Sequence, residues 1–129
     1  MSVKKYHLTE LHEENRFWVK ELLFFKDEVA YFEKRLAEIA ARNTSHDMLA
    51  KVEHFQNQFI RQKEVIDELK HLIKASENEL ENFARANNEI AIGHTLFADH
   101  VDLRDQVETF RQIYGEIKDK FRHFLAEWM

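Results

Sequence analysis

The eight histidines of this chain could bind a metal ion if helices brought them together with carboxylates. Helical di-iron sites need inward-facing carboxylates, with Glu-x-x-His pairs on more than one helix. Only Glu68 and His71 have that spacing, and both fall on the outer face of their predicted helix. The sequence therefore predicts no metal ligands and no cofactor.

A second metal hypothesis concerns His94 and His100. His94 with Asp99, and His100 with Asp105, share one spacing that a haemerythrin-like site uses. Such a site also needs further histidines that face the inside of the bundle. We keep as an alternative a ligand- or metal-binding bundle with a site around His94 and His100, at the tip between the second and third helices.

Nucleophilic catalysis and phosphate binding have no support in the sequence. The chain has no cysteine, and no serine has a convergent histidine and carboxylate. Its two glycines, Gly93 and Gly115, belong to no Gly-rich phosphate loop. We therefore predict that the protein has no catalytic residues and is not an enzyme.

The composition suits one helical domain that spans residues 1–129, with 44% hydrophobic residues, 33% charged residues and no proline. A net charge of −5 with interspersed signs gives no general attraction to nucleic acid. The first residues lack the apolar core of a signal peptide, and apolar runs such as Leu22 to Phe25 are too short to span a bilayer. We expect a cytoplasmic protein that binds neither nucleic acid nor membrane.

Three stripes of mainly apolar residues predict the helices that position these side chains. Their steps alternate between three and four residues, which keeps a stripe on one side of a helix. The longest stripe runs from Met48 to Ile90. We predict helices at about residues 9–42, 46–92 and 95–128. The fold class is all-α, an elongated antiparallel three-helix coiled-coil bundle with a long central helix.

The predicted central helix contains one possible break. Ser76 and Glu79 form an S-x-x-E capping box, which can begin a new helix. A reversal there would give a four-helix bundle, but the stripe keeps its phase across the site. A continuous helix is therefore the preferred prediction.

Two tight turns would set the alignment of the three helices. Thr44 or Ser45 would cap the start of the second helix, and Gly93 would cap its end. This alignment places Leu22, Ile66 and Phe121 in one shared layer. The outer helices then overlap only with the middle of the central helix. Apolar side chains at both tips, among them Phe55 and Phe83, would lack a third helix.

The first helix carries a second aromatic column, Phe17, Phe24 and Tyr31, which repeats every seven residues. A three-helix monomer has no need of this column. We predict a subunit interface, most simply in a homodimer, which includes Phe32 and Leu36 near the tip. Packing against a further segment of the same chain is the alternative. The leading function is a protein–protein interaction or scaffold protein, with another protein as a possible partner.

His100 lies on the core stripe of the third helix, where the predicted hairpin places it opposite Asn87. A buried hydrogen-bonded pair of Asn87 and His100 would fix the alignment of the two helices. A pH switch is also open, because imidazole titrates near neutral pH.

Overall fold

The structure is a computed structural model that describes residues 6–43, 45–87, 91–92 and 94–128. Helix α1 spans Leu8–Arg42, α2 spans His46–Asn87 and α3 spans His94–Trp128, with 35, 42 and 35 residues. The predicted all-α, three-helix bundle is confirmed. None of the described helices combines the length and apolar character needed to cross a membrane.

Helix α2 runs through Ser76 without interruption. Its 42 residues correspond to a rod about 63 Å long, at 1.5 Å per residue. The alternative four-helix bundle, with a break near Ser76, is therefore wrong. The helix continues because its buried stripe keeps three-four spacing on both sides of Ser76, from Ile66, Leu69 and Ile73 to Leu80.

The connection between α1 and α2 is as short as the sequence predicts. The Asn43 Nδ2 atom donates a hydrogen bond to the Ile39 carbonyl at 3.0 Å, which satisfies one of the last carbonyls of α1. At the start of α2, the Ser45 hydroxyl accepts from the Met48 amide at 3.5 Å, as an N-cap residue does. Thr44, the other predicted cap, lies outside the described residues.

The second connection differs from the prediction. Helix α2 ends at Asn87, and strand β2 (Ala91–Ile92) pairs antiparallel with strand β1 (Tyr6–His7). The predicted helix to residue 92 is therefore wrong, because backbone pairing with a distant segment replaces helical hydrogen bonds there. The predicted capping role of Gly93 falls outside the described residues.

The longer connection moves α3 along the bundle. Phe121 contacts Phe32 and Phe59, with ring centroids 5.1 and 5.0 Å apart. The predicted layer of Leu22, Ile66 and Phe121 is therefore wrong, by about three helical turns on α1 and about two on α2. All three rings of the observed layer are buried, so the layer joins the three helices.

Because of this shift, side chains of α3 cover both ends of the bundle. At one end Phe55 contacts Phe121 and Phe124 of α3, at 5.2 and 5.1 Å. At the other end, buried Leu11 and Leu80 pack with partly buried side chains from all three helices: Leu8, Phe83, Leu96 and Phe97. The predicted open tips do not occur at these layers.

Replacing Phe121 with alanine tests the observed alignment. Phe121 is fully buried, so Phe121→Ala should lower the free energy of unfolding by about 3–5 kcal/mol. Urea denaturation at one fixed protein concentration would measure the change.

The matched control is Ile113→Ala, a half-exposed position on the same helix, which should cost less than about 1 kcal/mol. Equal costs for the two variants would contradict the central position of Phe121.

Candidate protein interface

Three charged rungs connect α1 to α3. Each joins an acidic residue of α1 to a basic residue 90 positions later, and the rungs repeat every seven residues: Glu14 with Arg104, Glu21 with Arg111, and Glu28 with Lys118. The residue numbers rise together along both helices, so α1 and α3 are parallel. One whole flank of α1 is thereby engaged inside the bundle.

The first rung is a two-point contact. Arg104 donates to both Glu14 oxygens, from Nε at 2.8 Å and from Nη2 at 2.7 Å. In the third rung, Glu28 accepts from Lys118 Nζ at 2.8 Å and from the Tyr114 hydroxyl at 2.7 Å. Burial, together with the bond to Glu28, raises the pKa of Tyr114 far above its ordinary value, so this hydroxyl stays a donor.

Glu14 also holds His100, which is only 1% exposed. The His100 Nε2 atom lies 2.6 Å from Glu14 Oε1, and the imidazole stacks on Trp18 with ring centroids 5.0 Å apart. Burial raises the pKa of Glu14, but hydrogen bonds from Arg104 and His100 outweigh it, so the pKa is below its ordinary value. An ionised Glu14 only accepts hydrogen bonds, and Nε2 therefore donates.

The predicted pair of Asn87 and His100 stays a prediction. The Asn87 side chain lies outside the described part of the chain, as does that of His94. Among the described residues, the His100 Nδ1 atom is buried without a hydrogen-bond partner. The sequence did not indicate Glu14 as a partner of His100. The predicted alignment placed His100 opposite Asn87, too close to the C-terminal end of α2.

A second polar cluster joins α1 to α2 at the level of Ser76. Asn15 is buried, and its Nδ2 atom donates to Glu77 Oε1 at 2.8 Å and lies 3.4 Å from Ser76 Oγ. His12 Nδ1 contacts the other Glu77 oxygen at 2.5 Å. Ser76 therefore serves as a side-chain partner within a continuous helix.

The aromatic column of α1 lies on the surface of the described chain. Phe17, Phe24 and Tyr31 are 59%, 60% and 57% exposed. We call these three residues the α1 aromatic face. Phe32 and Leu36, which the sequence prediction added to this interface, are instead buried in the core. The shifted α3 covers this region, as the contact of Phe121 with Phe32 shows.

A groove of about 500 Å³ between α2 and α3 is a further apolar surface that the sequence did not single out. Leu69 and Phe110 form its floor, and half-exposed Leu72 and Ile113 form its sides. The signal available in the sequence was that Leu72 and Ile113 are apolar residues placed beside the core stripes.

Within the described residues, no group of three or more histidines, cysteines or acidic residues could hold a metal ion. Glu68 is 3.3 Å from Arg61, on an exposed part of α2.

The chain matches no protein-family model, no curated protein and no solved structure. The surface of α1 is therefore the main basis for a functional conclusion.

Replacing Glu14 with glutamine tests the role of its charge. Because the folded-state pKa is lowered, the charge stabilises the fold above the unfolded pKa, about 4.3. This stabilisation is lost as the pH falls through the folded pKa. Glu14→Gln should therefore lower the free energy of unfolding by about 1–3 kcal/mol at pH 7, and by progressively less as the pH falls below about 4.3.

Urea denaturation at several pH values would measure this difference. The control is Glu64→Gln, since Glu64 is an exposed residue of α2 whose contact with exposed Arg61 is a weak one, at 3.8 Å. If Glu14→Gln lowered the free energy of unfolding by the same amount at pH 7 and at acid pH, the charge of Glu14 would not be the cause of the loss.

Proposed function

We propose that this chain is a non-enzymatic protein–protein interaction or scaffold protein that self-associates through the α1 aromatic face. The observation that carries the proposal is that Phe17, Phe24 and Tyr31 are each more than half exposed. Their seven-residue spacing aligns them along one side of a helix. Aromatic side chains are enriched in protein interfaces, and an exposed apolar patch often marks one.

The bundle does not need the α1 aromatic face for its own packing. Buried side chains such as Trp18 and Leu22 already fill the core side of α1. Glu14, Glu21 and Glu28 hold the flank toward α3. Among the described residues, the ring contacts of Phe24 and Tyr31 are with their chain neighbours Phe25 and Phe32. A partner could therefore cover these rings without disturbing the core.

A ligand- or metal-binding role around His94 and His100 is the weaker candidate. His100 is almost completely buried between Glu14 and Trp18. Because only 1% of His100 is exposed, a ligand could reach the imidazole only after the surrounding side chains moved. The exposed aromatic rings need no such rearrangement.

The oligomeric state tests the proposal. Light scattering at micromolar concentration should give twice the chain mass of 15.6 kDa. Phe24→Asp should weaken the dimer at least about 30-fold, which corresponds to about 2 kcal/mol. The reason is that the substitution places an unpaired charge in the proposed interface.

Ile60→Asp is the matched control, because Ile60 is a similarly exposed apolar side chain on α2. This variant should remain dimeric, and circular dichroism should show unchanged helix content in both variants. A monomeric wild-type protein would overturn the proposed function.

A further inference from the structure

A column of four charged residues lies beside the α1 aromatic face. Glu13, Lys20, Asp27 and Lys34 repeat every seven residues, alternate in sign and are all exposed. We call these four residues the charged flank. They lie about 50° around the helix from Phe17, Phe24 and Tyr31, on the side opposite to Glu14, Glu21 and Glu28.

The two flanks of α1 differ in their use by the bundle. Glu14, Glu21 and Glu28 all bind basic residues of α3. By contrast, within the described part of the chain no hydrogen bond or ion pair ties Lys20, Asp27 or Lys34 to another side chain. In the same part of the chain, the ion pair of Glu13 is a long contact of 3.8 Å with Arg16. The charged flank is therefore available to a partner.

The direction of a paired helix decides which flanks meet. In an antiparallel pair, the two-fold axis is perpendicular to the helices, so each flank faces its own copy. In a parallel pair the axis runs along the helices, and opposite flanks meet. A parallel arrangement would place the charged flank against glutamates that α3 already engages. The antiparallel arrangement lets the charged flank meet itself. It also brings the two glutamate flanks together, but basic residues of α3 already balance their charges within each chain.

We propose that the partner on the α1 aromatic face is a second copy of this chain, docked antiparallel about a two-fold axis at Phe24. The arrangement rests on the proposed self-association and specifies its geometry. Phe24 meets the partner's Phe24, and Phe17 lies opposite the partner's Tyr31. Lys20 then pairs with the partner's Asp27.

The charges favour this register and disfavour the registers that are shifted by one heptad. At the two ends of the pair, Glu13 lies beside the partner's Lys34. A slip of one heptad in one direction would place Lys20 beside the partner's Lys34, and a slip in the other would place Lys20 against its own copy. Like charges then meet, and such contacts disfavour wrong arrangements. One register therefore satisfies both the aromatic column and the charged flank.

The charged flank is complementary to its own copy when that copy runs in the opposite direction. This property favours a second copy of the chain, rather than a different protein, as the partner. The signs along α1 run negative, positive, negative, positive from Glu13 to Lys34. Read backwards, the same four positions carry the opposite signs. A partner with one predominant charge would match only half of the flank.

Engineered cysteines would test the direction, since the native chain contains none. Glu13→Cys and Lys34→Cys should each fail to link to itself, because in the antiparallel dimer the two copies of either position are roughly 30 Å apart. A disulfide requires Cα atoms within about 7 Å. Mixing the two variants under mild oxidation should give the mixed 13–34 disulfide, identified by mass spectrometry.

A dimer in which Glu13→Cys links to itself, or open-ended oligomers, would overturn the antiparallel arrangement and leave self-association intact. A monomeric wild-type protein would overturn the proposed function and this arrangement with it. The two failures are therefore distinguishable.

Charge reversal would test the register. Lys20→Glu should weaken the dimer about tenfold at low salt, because it faces the partner's Asp27 with a like charge. The double variant Lys20→Glu, Asp27→Lys should recover the wild-type dissociation constant to within about threefold, since it restores opposite charges. Lys74→Glu, at an exposed position on α2, is the control.

Analytical ultracentrifugation would measure these constants. A Lys20→Glu dimer as tight as the Lys74→Glu dimer, or a double variant that stays as weak as the single one, would overturn the register.

Discussion

The position of α3 along α1 is the constraint on which the rest of the structure depends. The three rungs share one offset of 90 residues. The same alignment brings Phe121 against Phe32 and lets His100 reach Glu14. It also engages one flank of α1 and leaves the α1 aromatic face on the surface. A different offset would change the core and the surface together.

The rungs and the core contribute to this alignment in different ways. The rung carboxylates remain partly exposed, so we expect each ion pair to contribute modestly to stability. Burial of Phe59, Phe121 and their neighbours supplies the larger part. A slip of one heptad would still place two of the three glutamates opposite basic residues, because both columns of the rungs repeat every seven positions. The rungs therefore support the register, and the burial of large side chains such as Phe121 stabilises it.

The sequence predicted the helices well because each depends on local periodicity. The α1–α2 turn was also predictable, since Ser45 is a capping residue directly after a helical stripe. The end of α2 was not, because the stripe continues in phase to Ile90 while Ala91–Ile92 pairs with Tyr6–His7. That pairing depends on a contact between distant segments. One misplaced helix end then shifted every predicted layer that involved α3.

The same error explains the mixed outcome for the surface. Phe32 and Leu36 looked available only because the predicted α3 did not reach them. The exposure of Phe17, Phe24 and Tyr31 does not depend on the misplaced end, since these residues lie off the core stripe.

The sequence did contain a signal for the rungs. The acidic residues of α1 and the basic residues Arg104, Arg111 and Lys118 both repeat every seven positions.

The pattern of signs distinguishes the two flanks of α1, although their spacing is the same. Glu14, Glu21 and Glu28 carry one sign, so this flank gains no attraction from a copy of itself and is matched by a basic partner. Helix α3 supplies that partner within the chain. Glu13, Lys20, Asp27 and Lys34 alternate, so no helix with a single sign along its face can match them all. A uniformly charged flank is therefore suited to contacts between different helices of one chain. An alternating flank is suited to contact with its own reversed copy.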